Sequence, residues 1–141
     1  MTDSDRIFFD SSPFVYLVEN HPKYYFPVAN LLADLLESNT GLVISVITIS
    51  EIYVKPMREG NDALIKDIGN VLKTLNFTVA EIDFKIAELS ATLRAKHTFL
   101  KGLDSLQVAT ALSHNCRRFF TNDKKLKQIT ELEILLVDNL I

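Results

Sequence analysis

Short apolar runs alternate with longer amphipathic stretches along this chain, and that rhythm leaves few architectures open. Ile7-Phe8-Phe9, Leu42 to Ile47, Phe77-Thr78-Val79, Arg118 to Thr121 and Glu133 to Val137 each read as a strand. The first two are apolar without a period of two, the pattern of strands covered on both faces. Between the runs, apolar residues recur every three or four positions, as on a packed helix. Tyr24 to Ser38 does so through Phe26, Ala29, Leu32, Ala33 and Leu36, and Asn39-Thr40-Gly41 ends it. Asn61 caps a helix whose face is Leu64, Ile65, Ile68, Val71, Leu72 and Leu75. Asp83 caps another, with Ile86, Leu89, Ser90 and Leu93 aligned.

Shorter helices complete the reading. Ser11 or Ser12 would cap one, with Pro13 in its first turn. Thr48 or Ser50 would open one carrying Glu51, Ile52 and Tyr53, which Pro56 interrupts. Lys96 to Gly102 reads as a loop. Leu103 to Cys116 is apolar on more than one side, so the helix it forms should be largely buried. A turn at Asn122-Asp123 leads into a short helix at Lys124 to Gln128. Strands alternating with helices imply a parallel sheet with helices on both faces, a three-layer α/β/α sandwich. With 141 residues and no linker, repeat or shift in composition, residues 1–141 form one domain.

Composition removes several function classes. Apolar residues are 48% of the chain and charged ones 23%, which supports a real core and argues against disorder. A net charge of -3 and a pI near 5.6 lack the basic footprint of a generic nucleic-acid coat, so any nucleic acid must be met by a local patch. One cysteine, Cys116, excludes a disulfide scaffold and reads as a small core residue. The start Met1-Thr2-Asp3-Ser4-Asp5 is acidic, unlike a signal peptide, and no apolar run is long enough for a membrane span. The expected location is the cytoplasm.

The acids carry the chemistry. In open α/β sheets ligands bind beyond the carboxyl ends of the strands. Asp10 follows the first strand, Glu51 lies just past the second, Asp104 opens the buried helix, and Asp123 sits two residues beyond Phe120-Thr121. Any one of them has an ordinary explanation as a helix cap or turn residue. Together they form a cluster of like charges, which costs stability unless a cation or base compensates. Hard oxygen donors without His or Cys suit Mg²⁺ or Mn²⁺. A divalent ion so held lowers the pKa of bound water and steadies a phosphoryl transition state.

Four segments also carry a family resemblance. Phe8-Phe9-Asp10-Ser11-Ser12, Ile47-Thr48-Ile49-Ser50-Glu51-Ile52, Leu103-Asp104-Ser105-Leu106-Gln107-Val108-Ala109-Thr110-Ala111 and Phe119-Phe120-Thr121-Asn122-Asp123-Lys124-Lys125-Leu126 resemble, in order, the four acidic elements of PIN domains, above all the VapC toxins of toxin–antitoxin pairs. The resemblance implies a PIN-like fold and a Mg²⁺- or Mn²⁺-dependent endoribonuclease. Asp10, Glu51, Asp104 and Asp123 would be its metal-holding catalytic acids. Ser11 or Ser12 near Asp10, and Thr121 and Asn122 near Asp123, would orient the carboxylates. It also implies an RNA substrate, a cognate antitoxin and a homodimer, with Phe14, Val15, Leu17, Val18, Leu31, Leu35 and Leu36 as the apolar faces either could use.

RNA would meet the rim through cations near element ends: Lys55, Arg58, Arg94, Lys96, Lys101, Lys124 and Lys125. Arg117 and Arg118 precede a strand and belong to the opposite end of the sheet. His21, His97 and His114 have no metal-ligand spacing. Two other classes compete: a catalytically weak PIN-like module binding RNA or protein, and a phosphoacceptor receiver domain. The latter would want adjacent acids after the first strand and a strand-end Lys. A phosphatase of the Asp-x-Asp type would need an acid where Ser12 stands.

Overall fold

A computed structural model describes residues 5–141. The acidic start read above as unlike a signal peptide lies, but for Asp5, outside the described residues. The elements run β1 (Arg6–Phe9), α1 (Ser11–Val18), α2 (Tyr25–Glu37), β2 (Gly41–Ser45), α3 (Val46–Arg58), α4 (Asp62–Thr74), β3 (Thr78–Ala80), α5 (Phe84–Lys96), α6 (Gly102–Ser113), β4 (Arg118–Thr121) and β5 (Glu133–Leu136). Short 3₁₀ turns at Lys124–Gln128 and Val137–Leu140 follow the last two strands. All five strands are parallel, in the order β3-β2-β1-β4-β5.

Successive side chains of a strand point to opposite faces, and here both faces are dry. Phe8, Val43, Phe119, Ile134 and Leu136 pack under α5 and α6, with Ile86, Leu93, Val108 and Ala109. Ile7, Phe9, Leu42, Ile44 and Phe120 pack on the other side against Phe14, Val28, Leu32, Leu35, Ile52 and Ile68 from α1 to α4. This is the expected three-layer α/β/α sandwich. Cys116 is buried, and burial pushes its thiol up to about 12, so it is an inert core residue.

Several local expectations need correction. Asp10, not Ser11 or Ser12, caps α1: its carboxylate accepts from the Ser11 N–H at 2.8 Å. The second strand stops at Ser45, whose hydroxyl caps α3 in place of Thr48 or Ser50, so Val46 and Ile47 are helical. Pro56 does not interrupt α3. It sits in the last turn, and its carbonyl accepts from the Asn61 N–H at 2.8 Å. Having no N–H to give the Ile52 carbonyl, Pro56 costs α3 that one bond without ending the helix. Helix α2 is rotated from the expected stripe: Val28, Leu32 and Leu35 face the core, while Phe26 is 70% exposed. Asn61 and Asp83 cap as expected, accepting from Leu64 N and Ile86 N.

Helix ends share one device. Asn20, Asn39, Asn76 and Asn115 have φ between 50° and 58°, and Gly60 has 63°. Asparagine tolerates this left-handed conformation better than most residues, and the next N–H then reaches back to close the helix. Thr40 N to Leu35 O and Phe77 N to Leu72 O, at 2.9 and 3.0 Å, are two such closures, each turning the chain directly into a strand.

Candidate active site

The strand order puts the site in place. From β1 the chain moves through β2 to β3 on one side, then returns to β4 and β5 on the other. The carboxyl edge between β1 and β4 is therefore a topological switch point, where a crevice opens. Asp10 follows β1 at this edge, and Asp123 follows β4. Glu51 is on the second turn of α3 leaving β2, and Asp104 is in the first turn of α6.

Asp10 is the most constrained of the four. Its Oδ1 accepts from Ser11 N, and its Oδ2 accepts from the Thr121 hydroxyl at 2.8 Å. The Asp10 N–H donates to Phe120 O at 2.9 Å, tying the end of β1 to β4. Burial pushes the carboxyl up against the two hydrogen bonds that pull it down, and the charges of Glu51 and Asp104 raise it further. Asp104 is raised by burial, then by Asp123 and Glu51, with Lys101 and Lys125 opposing. Glu51, Asp104 and Asp123 thus each lie close enough to act on Asp10 or Asp104. Glu51 itself is exposed, and its Oε1 accepts from the Ser11 hydroxyl at 2.6 Å.

Among the described residues no three His, Cys, Asp or Glu side chains form a ready metal-binding group. The cluster is therefore an open one: the acids are neighbours in charge, without closing into a cage. The donor chemistry still fits a small hard cation, because Mg²⁺ keeps several of its waters and is held by only one or two carboxylates. Both Asp10 oxygens keep a free lone pair beside their hydrogen bonds. A cation would relieve the like-charge repulsion that raises Asp10 and Asp104.

The residues expected to support the acids divide. Ser11 holds Glu51 rather than Asp10 through its hydroxyl. Thr121 is fully buried and serves two acids, donating to Asp10 and accepting from the Asp123 N–H at 3.1 Å. Asn122 does not orient Asp123: its amide donates to the Tyr16 hydroxyl at 3.3 Å and its oxygen accepts from Asp138 N at 3.2 Å. Asp123 instead accepts from Lys125 N and caps the 3₁₀ turn. Of the cations, Lys55 pairs with Glu19 and Lys96 with Glu131, whereas Lys101 and Lys125 stand beside Asp104. Arg117 and Arg118 pair with Asp5 at the amino edge, far from the acids in topology.

Sequence reasoning gave no role to Gln107, which is buried and bonded to Ser45 and Thr48. A polar residue inside the most buried helix was the available signal. A groove of about 560 Å³ lies between α1, α2 and α4, with walls that include Leu17, Val18, Ala29, Leu32, Leu36 and Val71 and none of the four acids. Leu17, Val18 and Leu36 of the apolar set line it, while Phe14 and Leu35 are core. No lysine directly follows any of the five strands, so the receiver reading loses its second requirement.

A parallel α/β domain with acids from four elements on its carboxyl edge defines a class, and comparison with known proteins names it. The chain belongs to the PIN domain family, whose model matches residues 7–132. Its fold is similar to VapBC2 of Rickettsia felis bound to a DNA fragment from the promoter, at a TM-score of 0.77 and 20% identity over 93% of this chain and 98% of that one. A toxin–antitoxin complex from Klebsiella pneumoniae gives 0.70 and 22%, over 93% and 97%. VapC20 of Mycobacterium tuberculosis, a sarcin–ricin loop cleaving toxin, gives 0.65 and 16%, over 90% and 98%. No curated protein matches this chain in sequence.

Proposed function

We propose that this chain is a divalent-cation-dependent endoribonuclease acting as the toxin of a VapBC-like pair. The observation that carries the reading is that Asp10 after β1 and Asp104 on α6, raised chiefly by burial, are raised further by the charges of neighbouring acids from α3, α6 and the turn after β4. Asp10, Asp104, Glu51 and Asp123 would hold Mg²⁺ or Mn²⁺, directly or through water. When bound, the ion would supply Lewis acidity toward a phosphate oxygen and activate water. The chain's own part is to hold its carboxylates oriented. Thr121 and the Ser11 N–H fix Asp10, and Ser11 Oγ fixes Glu51. Lys101 and Lys125 would meet the RNA backbone beside Asp104.

The groove between α1, α2 and α4 is the proposed seat of an antitoxin segment. It is apolar, open and separate from the acids, as an amphipathic helix laid into a groove would need. Val54 and Met57 on α3 and Phe84 opening α5 are exposed apolar side chains available to the proposed homodimer. Among the described residues no helix is long and apolar enough to cross a membrane.

The deciding experiment incubates the purified chain with total cellular RNA and Mn²⁺. Cleavage should vanish in EDTA, and should fall by about a hundredfold or more in Asp10→Asn and Asp104→Asn proteins, the scale of losing transition-state electrostatics. Full cleavage by both variants would reject the site.

A further inference from the structure

Three polar side chains lie where the two helical layers meet across the carboxyl edge, and the chemistry above uses none of them. Ser45 and Thr48 have no exposed surface and Gln107 has 3%. Ser45 ends β2 and caps α3, Thr48 lies in the first turn of α3, and Gln107 is on α6, the helix packed against the opposite face of the sheet. They close a ring. Gln107 Nε2 donates to Thr48 Oγ1 at 2.6 Å, the Ser45 hydroxyl donates to Gln107 Oε1, and Thr48 N–H donates to Ser45 Oγ at 3.3 Å.

Stability alone does not ask for this arrangement. Apolar groups of the same shape would bury at least as well, because satisfied polar groups gain little net free energy inside a protein. What such a network adds is a fixed geometry. Its placement matters: Thr48 precedes Glu51 by three residues, and Gln107 follows Asp104 by three. Residues three apart share a helix face, so the ring lies one turn from each acid on the acid's own side. The first turn of α6 is held from behind as well. Ser105 donates to Gly102 O at 2.7 Å, which leaves Ser90 to donate to Ser105 at 2.6 Å.

We propose that the Ser45–Thr48–Gln107 ring is a positioning device. It sets the spacing between Glu51 on one helical layer and Asp104 on the other, and through that spacing the affinity of the site for a divalent cation. This rests on the metal reading above. None of the three touches substrate or ion.

The test is calorimetric titration of the RNA-free protein with Mn²⁺, with folding followed by circular dichroism. Thr48→Val removes the hydroxyl and nearly keeps the shape, and Thr48→Ser keeps the hydroxyl. Thr48→Val should weaken Mn²⁺ binding by about tenfold to a hundredfold, the usual cost of losing an outer support, while Thr48→Ser stays within about threefold of the original. The KM for RNA at saturating Mn²⁺ should not move. If Thr48→Val does not fold, the Thr48→Val/Gln107→Leu double variant, which replaces both partners of the Gln107–Thr48 bond, carries the same expectation. Undiminished Mn²⁺ affinity in the folded variant, or equal loss in Thr48→Ser and Thr48→Val, overturns the proposal. Asp104→Asn separates the two levels. If it loses Mn²⁺ while Thr48→Val retains it, positioning alone fails; if the unaltered protein binds no Mn²⁺, the metal reading fails and takes this one with it.

Discussion

Thr121→Val removes one hydroxyl from a fully buried position and leaves the side chain's outline nearly intact. That hydroxyl donates to Asp10 Oδ2 at 2.8 Å and accepts from Asp123 N–H at 3.1 Å. Losing the first leaves a half-buried carboxylate short of a donor, and hydrogen bonds to charged groups contribute about 1.5–3 kcal/mol. Losing the second strands a backbone N–H, at about 1–3 kcal/mol if nothing replaces it. The expected loss at neutral pH is therefore roughly 2.5–6 kcal/mol. With a urea slope of about 1.5 kcal/mol per molar, the unfolding midpoint should fall by at least about 1 M.

The pH dependence makes the prediction sharper. Asp10 already has a raised carboxyl, and the Thr121 bond is what opposes that rise, so Thr121→Val lifts it further. A raised carboxyl pKa means the folded state resists ionisation: stability is greatest below the unfolded value of 3.8 and declines as pH rises through the folded one. The variant's deficit should be full near pH 7 and shrink as the pH falls and Asp10 takes up its proton in both proteins. Urea titrations from pH 7.5 to pH 4, with RNA cleavage at each pH, read both effects. The acid limb of the cleavage profile should move to higher pH. A deficit below about 1 kcal/mol at pH 7, less than one such bond is worth, or one constant across the series, would refute the account of Thr121 as the clamp on both acids.

Two further outcomes follow from the geometry. Glu131 accepts from His97 and Lys96, and although burial would raise it, these bonds bring its carboxyl down to about 2 from 4.5. The native contribution is therefore present above about pH 4.5 and lost as pH falls toward 2; Glu131→Gln should cost about 1–3 kcal/mol at pH 7 by urea unfolding, with the two proteins converging in acid. Ala33→Arg, placed at the exposed wall of the groove, should abolish capture of a co-expressed antitoxin while leaving RNA cleavage unchanged; retained capture would remove the groove as its seat.

The strands, most helices and the four acids were legible in the sequence because their signals are local. Ile7-Phe8-Phe9, a short apolar run closed by Asp10-Ser11-Ser12-Pro13, reads as a covered strand, and an acid following such a strand emerges at the carboxyl edge. Asn61 and Asp83 announce their helices by the chemistry of the cap, whatever packs above them. Other features had no local signal. Leu42 to Ile47 is one apolar run, and nothing within it marks Ser45 as the last strand residue; pairing with β3, where Ser45 lies opposite Ala80, ends the ladder there. Helix α2 carries two overlapping apolar stripes, and only its seat against α1 and the sheet chose Val28, Leu32 and Leu35 over Phe26 and Leu36.

The site divides in the same way. Residue type and position along the chain decided which acids stand at the rim, since a strand's end and a helix's first turn are one-dimensional facts. The partners of those acids were decided in three dimensions: Ser11 reaches 40 residues to Glu51, Thr121 reaches 111 to Asp10, and Gln107 reaches 59 to Thr48. A hydroxyl or amide reads in sequence as a surface or cap residue. It becomes the support of a carboxylate only when folding removes water and leaves that carboxylate as the partner within reach.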